Sequence, residues 1–222
     1  MSQPRLVEVR QKVLSKNDAA ARVLRQRFQE AEVSVISLVS SPGSGKTAFL
    51  ERVLTLLRKD FRVAALVGDL ATDNDAARLA RSRAPVKQIS TGTICHLDAN
   101  MVSTALEDWE IADLDFLFIE NVGNLVCPSS YDLGENARAV LLSVTEGEDK
   151  PLKYPSIFHT ADAAIITKMD LAEAVEFDAA AARRNIEAVR PGIPIFQSSV
   201  KTNTGLEEIL SWMKSVMVYS AS

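Results

Sequence analysis

The sequence is poor in the residues that staple or cross-link a chain, with two cysteines and two histidines among 222 residues. A disulfide scaffold is thereby excluded. Charge of one sign is also missing. Twenty-five Lys and Arg face 29 Asp and Glu, a net charge of −4 that gives no electrostatic case for a nucleic-acid partner. No apolar run is long: uncharged stretches such as 33–45 fall short of the roughly 18–20 residues a spanning helix needs. Met1-Ser2-Gln3-Pro4-Arg5 leads into charged sequence rather than the apolar centre of a signal peptide. The expected location is the cytoplasm, without a membrane partner. Nine glycines and eight prolines are too few for a low-complexity or fibrous chain. Against about 150 residues for an ordinary domain, the length predicts one generous domain or a domain with an appendage.

Residues 1–32 are polar and rich in helix formers. Val13, Leu14, Ala20, Val23, Leu24 and Phe28 recur at helical spacing, which predicts one or two amphipathic helices ahead of a domain over 33–222. From Val33 onward, short apolar β-branched runs alternate with helical patterns. Strands are expected over 33–39, 62–67, 86–89, 114–119, 139–144, 163–167 and 194–198. Helices are expected over 47–59, 75–83, 97–108, 178–190 and 205–218. Near-continuous apolar strands are buried on both faces, so the pattern specifies an α/β fold: a three-layer sandwich around a mostly parallel sheet of about seven strands. The loop over 121–138 is long enough to expect a functional role.

Ser40-Ser41-Pro42-Gly43-Ser44-Gly45-Lys46-Thr47 follows the first strand and opens a helix. It matches G-x-x-x-x-G-K-[ST] except at Ser40, and it specifies a P-loop NTPase. Glycines let backbone N–H groups turn inward around an anion, and the helix N-terminus adds partial positive charge. Pro42, Gly43, Ser44, Gly45, Lys46, Thr47 and Ala48 are the expected phosphate contacts, with Lys46 on the β- and γ-phosphates and the Thr47 hydroxyl on Mg²⁺.

Thr167-Lys168-Met169-Asp170 ends a later strand, where guanine-specific NTPases carry Asn/Thr-Lys-x-Asp. Asp170 can accept both hydrogen bonds of the guanine N1–H and N2–H₂ edge, and the Lys168 stem can lie on the base. Thr167 in place of Asn weakens a secondary contact only. Ser198-Ser199-Val200-Lys201 follows the last strand, where Val200 and Lys201 are expected beside the base. GTP is therefore the expected nucleotide. For the Mg²⁺ and γ-phosphate sensor, the strand over 114–119 runs into Glu120-Asn121-Val122-Gly123, with glutamate where small GTPases use aspartate. Asp69 ends the second strand as a further candidate for the Mg²⁺ shell. Asp73 and Asp75 behind it are equally well read as helix-capping residues.

Cys95 and His96 are adjacent, and Cys127 falls in the long loop. Thiolate and imidazole are ligands that Zn²⁺ and Ni²⁺ accept. Three ligands are one short of a closed tetrahedron, so water or a second subunit would complete the set. Spacing alone leaves ordinary packing of two buried thiols as the stronger reading. His159 has no partner motif and reads as a surface or capping residue.

Together, Gly68-Asp69-Leu70 with Asp75-Ala76-Ala77-Arg78, Thr91-Gly92-Thr93-Ile94-Cys95-His96-Leu97-Asp98-Ala99, Glu120-Asn121-Val122-Gly123-Asn124-Leu125-Val126-Cys127-Pro128 and Thr145-Glu146-Gly147 resemble the HypB family. These are nickel-insertion GTPases of hydrogenase maturation, in the dimerising P-loop group that also holds the urease accessory UreG and B12-enzyme MeaB families. UreG is the poorer match, its metal motif being Cys-Pro-His. The resemblance implies a homodimer, an interface metal held by Cys95, His96 and Cys127, and Lys153 reaching the partner subunit's nucleotide. It also implies a small zinc-containing nickel chaperone of the HypA type and a hydrogenase large-subunit precursor as partners. No Cys-rich or His-rich nickel-storage tract is present. The rival expectation is a GTP-switched chaperone of the urease-accessory or B12-enzyme type with a purely structural Cys/His cluster.

Overall fold

The computed structural model describes residues 4–69 and 74–217, with side chains for 11–68, 75 and 77–217. Its elements, in chain order, are α1 (Pro4–Glu30), β1 (Ser34–Ser40), α2 (Lys46–Leu57), β2 (Val63–Asp69), α3 (Asn74–Leu79), β3 (Val86–Ser90), α4 (Ala99–Ala105) and β4 (Phe116–Glu120). Then follow β5 (Ala137–Ser143), α5 (Lys150–Lys153), α6 (Pro155–His159), β6 (Ala163–Thr167), α7 (Ala179–Val189), β7 (Ile195–Gln197) and α8 (Leu206–Ser215).

The seven strands form one sheet in the order β3-β2-β4-β1-β5-β6-β7, and every pairing is parallel. Each residue of β1, β4, β5 and β6 is buried, as a sheet covered on both faces requires. Side chains alternate between the faces with the period of two that strands impose. Ile36, Leu38, Ala139 and Leu141 pack beneath α2 and α8 against Phe49, Leu54, Ile209 and Met213. Val35, Leu117 and Ile119 pack under α1 and α4 against Leu24, Phe28, Val102 and Leu106. Val140, Leu142, Ala164 and Ile166 meet α6 and α7. The α/β three-layer sandwich and its parallel sheet are as expected. Among the described residues, no helix is long and apolar enough to cross a membrane.

Boundaries differ where local hydrogen bonding overrides periodicity. The N-terminal segment is a single helix from Pro4 to Glu30. The helix expected over 75–83 stops at Leu79 and tightens into a 3₁₀ turn, ended by Arg83 at φ 62°. The helix expected over 97–108 shortens to Ala99–Ala105, because the Asp98 carboxylate accepts from the Met101 N–H at 2.9 Å and caps it there. α5 and α6 lie outside the elements expected from periodicity. Each is short and carries proline in its first turn, where the missing N–H costs nothing.

The long loop between β4 and β5 is organised by a buried ion pair. Arg138 Nη2 lies 2.7 Å from Glu135 Oε1, with both side chains under 10% exposed. The same guanidinium donates to the carbonyls of Tyr131 at 2.7 Å and Pro128 at 3.4 Å. Glu135 accepts from the Ser37 hydroxyl and the Leu133 N–H. Removing one partner strands the other's charge. Arg138→Ala is expected to lower the unfolding free energy by about 3–5 kcal/mol in urea titration; a loss well below that range would show that the pair does not hold the loop.

Candidate functional site

β1 ends at Ser40 and α2 begins at Lys46, so the intervening turn lies at the carboxyl edge of the sheet, between β4 and β5. Gly43 at φ 73° and Gly45 at φ 88° occupy the left-handed region that lets successive N–H groups converge. The Ser40 hydroxyl donates to the Ser41 carbonyl at 2.9 Å and accepts from the Ser44 hydroxyl at 2.6 Å. The departure from the motif's first glycine is thus an internal hydrogen bond. A cavity of about 570 Å³ opens over this loop, from Pro42 to Ala48 and onward to Asp75, Arg78, Glu120, Gly123 and Lys168. Arg78, which sequence reasoning gave no role, pairs with Glu51 at 3.1 Å.

Glu120 ends β4 with 1% exposure. Its Oε1 accepts from the Thr47 hydroxyl at 2.7 Å and lies 3.6 Å from the Lys46 ammonium. Burial raises the Glu120 carboxyl above its ordinary value; Lys46 and Thr47 oppose the shift, and Asp75 adds to it. Oε2 is buried without a hydrogen-bond partner in the protein. An unsatisfied carboxylate oxygen beside a threonine hydroxyl suits a hard divalent cation such as Mg²⁺. Asp75 lines the same cavity, whereas the side chains of Asp69 and Asp73 lie outside the described residues. Gly123 lies against the phosphate loop so closely that a Cβ there would sit 2.9 Å from Pro42 Cα.

At the other end of the cavity, the Thr167 hydroxyl donates to the Ser44 carbonyl at 2.8 Å. Lys168, at φ 59°, donates from Nζ to the Gly43 carbonyl at 2.6 Å. Asp170 Oδ1 accepts from the Ser199 hydroxyl at 2.6 Å, and the Met169 N–H donates to the Ser198 carbonyl at 3.1 Å. The two loops expected to hold a base are therefore tied together. Val200 is partly buried against the core and Lys201 is exposed; neither they nor Asp170 line the cavity itself.

Cys95 and His96 lie in an irregular bend ahead of α4 rather than on the helix, and Cys127 opens a 3₁₀ turn, Cys127–Ser130. One ligand atom from each of the three falls within 4.8 Å of the others, and the two sulfurs are 3.1 Å apart. Neither cysteine is in a disulfide. The His96 ring lies on Tyr131 with centroids 3.9 Å apart, and its Nδ1 is buried without a hydrogen-bond partner. Burial lowers the His96 pKa against the pull of Asp98, so the neutral, metal-binding form is present at pH 7. A second cavity, about 360 Å³, adjoins the cluster and is lined by Val13, Leu14, His96, Val126, Cys127 and Tyr131. The contributions of Val13, Leu14 and Tyr131 carry no local sequence signal. Lys153, exposed at the end of α5, pairs with Asp149 at 2.6 Å, and His159 is exposed at the end of α6.

A parallel sheet with a glycine-turned phosphate loop and a lysine–threonine–glutamate cluster at its carboxyl edge defines a P-loop NTPase. Residues 34–197 match the family described as CobW/HypB/UreG, nucleotide-binding domain. The chain is 46% identical over 214 residues to the hydrogenase maturation factor HypB of Azotobacter chroococcum mcd 1, covering 96% of this chain and 70% of that protein. It is 44% identical over 215 residues to HypB of Escherichia coli K12, covering 97% and 74%. The crystal structure of Helicobacter pylori HypB in complex with nickel superposes with a TM-score of 0.85 at 41% identity, over 93% of this chain and 99% of that one. The chain belongs to the CobW/HypB/UreG family, on its HypB side.

Because burial raises the Glu120 pKa, the stability this residue contributes is complete below the ordinary carboxylate range and is lost as pH rises through the raised value. In the nucleotide-free protein, Glu120→Gln is expected to gain thermal stability relative to the parent as pH rises above the ordinary carboxylate range. A gap that shrinks with rising pH would contradict the direction of the shift.

Proposed function

We propose that this chain is a GTP-binding and GTP-hydrolysing metallochaperone that delivers Ni²⁺ during hydrogenase maturation. The observation that carries the reading is the Cys95–His96–Cys127 cluster, in which Cys127 belongs to the loop that continues directly from the nucleotide cavity. Cys127 is four residues past Gly123, which packs on Pro42 of the phosphate loop. The curated relatives are named hydrogenase maturation factors, and the Helicobacter pylori relative was solved with nickel, which supports the assignment.

In the proposed cycle, Gly43 to Lys46 bind the phosphates through backbone N–H groups, and Lys46 neutralises charge at the γ-phosphate. Thr47 and Glu120, with Asp75 and Asp69 as further candidates, would hold Mg²⁺, which would supply charge neutralisation for phosphoryl transfer. Glu120 exchanges its bond with the Thr47 hydroxyl for that role. Gly123 presents its N–H to the γ-phosphate. Asp170 reads guanine, oriented by Ser199, while Lys168 covers the base and Val200 and Lys201 close its edge. Turnover is slow, because Arg78, the one guanidinium lining the cavity among the described residues, is held by Glu51.

GTP favours a homodimer through Lys153, with the metal at the interface where a ligand from the second subunit or water completes the set. Loss of the γ-phosphate releases Gly123, alters the ligand geometry and hands the ion on. The partners are a small zinc-containing nickel chaperone of the HypA type and the hydrogenase large-subunit precursor. The same thiolate and imidazole donors would also accept Zn²⁺. Residues 1–32 serve as a helical segment ahead of the GTPase domain at 33–222.

Asp170→Ala is expected to reduce the preference for GTP over ATP by about tenfold or more, read from competition binding; an unchanged preference would locate base recognition elsewhere. Ni²⁺ titration of Cys127→Ser against the parent tests the metal site. Loss of about one bound ion per chain is expected. Equal stoichiometry would favour a GTP-switched chaperone in which the cluster is structural. Sizing with GDP and with a non-hydrolysable GTP analogue is expected to give a larger species with the analogue.

A further inference from the structure

Three asparagine side chains hold the loops that carry the metal ligands. Asn17 on α1, 3% exposed, accepts from the Ala99 N–H at 2.9 Å and donates to the Asp132 carbonyl at 2.9 Å. Asn121, 2% exposed, accepts from the N–H groups of Leu97 at 3.0 Å and Val122 at 2.9 Å. Asn124 donates to the Cys95 carbonyl at 3.2 Å and accepts from the Val126 N–H at 2.8 Å. In each case one carboxamide spans the Cys95–His96 segment and the segment leading to or following Cys127. Asn17 and Asn124 do this with a donor and an acceptor on one rigid plane, and Asn121 with both lone pairs of its carboxamide oxygen.

The three differ in what they are fixed to. Asn17 belongs to a helix packed in the core through Ala21, Leu24 and Phe28. The Asn121 N–H donates to the Leu38 carbonyl of β1 at 3.0 Å, so its backbone is an extension of the sheet. Leu97, bonded to Asn121, is wedged against Gly68 of β2, where a Cβ would come within 2.7 Å of it. These contacts form a frame. Asn124 alone lies between Gly123 and Cys127, and its two bonds end on Cys95 itself and on the residue preceding Cys127.

We infer that Asn124 is a positioning residue for the metal ligands: its carboxamide bridge sets the spacing of the Cys95 and Cys127 sulfurs and converts displacement of Gly123 into a change in that spacing. The inference rests on the proposed reading of the Cys/His cluster as a nucleotide-controlled metal site. Against the fixed frame of Asn17 and Asn121, a shift at Gly123 moves the adjoining carboxamide. It then pulls on Cys95 and Cys127 from opposite sides. Partners of this kind orient ligands without touching the ion, and their loss weakens metal binding while leaving the ligands in place.

Asn124→Ser separates this bridge from an ordinary turn. A serine hydroxyl can still accept from the N–H two residues on, but it is too short to reach the Cys95 carbonyl. Ni²⁺ affinity is measured by competition with a chromophoric chelator, and the thiolate-to-nickel charge-transfer band is recorded, with GDP and with a non-hydrolysable GTP analogue. Parent, Asn124→Ser, Asn124→Ala and Cys127→Ser are compared, and the melting temperature of each metal-free protein checks that it folds. Both Asn124 variants are expected to bind Ni²⁺ about tenfold more weakly. The ratio of affinities between the two nucleotide states should fall toward one, and the charge-transfer band should stop responding to the nucleotide. Asn124→Ser matching the parent in affinity and in ratio would overturn the inference. A weakened site that keeps the parent's ratio would overturn the transmission of Gly123 displacement. If Cys127→Ser loses Ni²⁺ while Asn124→Ser does not, the inference fails and the proposed function stands. If Cys127→Ser binds as the parent does, the proposed metal site fails and takes the inference with it.

Discussion

The Glu120 carboxylate sits where water scarcely reaches, steadied by the Lys46 ammonium and the Thr47 hydroxyl on one of its two oxygens. Burying such a group raises its pKa and leaves the unbonded Oε2 costly. The sheet makes this arrangement unavoidable. β4 lies beside β1, so the residue that ends β4 must face the phosphate loop that ends β1. A polar residue at that place is either a destabilising defect or a ligand for something with charge and oxygen-seeking chemistry. The lysine and threonine of the phosphate loop beside it fit the proposed role of ligand.

Everything downstream in the chain inherits that position. Asn121 continues from Glu120 and is stitched back to β1 through its N–H. Two residues later, Gly123 approaches Pro42 so closely that only glycine fits without a shift. Asn124 then turns the chain toward Cys95, and Cys127 closes on the same thiol at 3.1 Å. Short covalent distance supports the proposed coupling on mechanical grounds, since no element between Gly123 and Cys127 is long enough to absorb a displacement. The packing of Leu97 against Gly68 fixes the opposite loop to β2, so that in the proposed cycle motion on one side would change the ligand geometry rather than carry both loops together.

Much of this was legible in the sequence because it is encoded locally. The phosphate loop, the Thr-Lys-Met-Asp segment and the strand pattern each occupy a handful of consecutive residues, and buried parallel strands announce themselves by continuous apolar runs. The three proposed metal ligands are legible in the sequence only as candidates, since two isolated thiols carry no period or spacing that distinguishes a ligand from packing. What escaped was fixed by residues far apart in the chain. Tyr131 beneath His96, Val13 and Leu14 beside the cluster, and the Asn17 bonds to Ala99 and Asp132 all arise from folding α1 over the loops. α5 and α6 escaped for the opposite reason: at four and five residues they are too short to display a helical period.

Two departures from the expected motifs, each of which looks like a weakness when read alone, meet at one residue. Ser40 stands where the phosphate loop usually begins with glycine, and Thr167 stands where the base-reading segment usually begins with asparagine. The Ser44 hydroxyl donates to Ser40, and the Ser44 carbonyl accepts from Thr167. Ser44 is 1% exposed and belongs to the turn that wraps the phosphates. Lys168 adds a third tie to the neighbouring Gly43 carbonyl. Hydroxyls on both flanks thus brace the glycine-rich turn from within the protein, where a glycine at 40 would leave the Ser44 hydroxyl without that acceptor. Bracing of this kind reduces the conformational freedom that the turn must lose on binding phosphate. It also joins the segment proposed to read the base to the phosphate loop, through the Ser44 and Gly43 carbonyls.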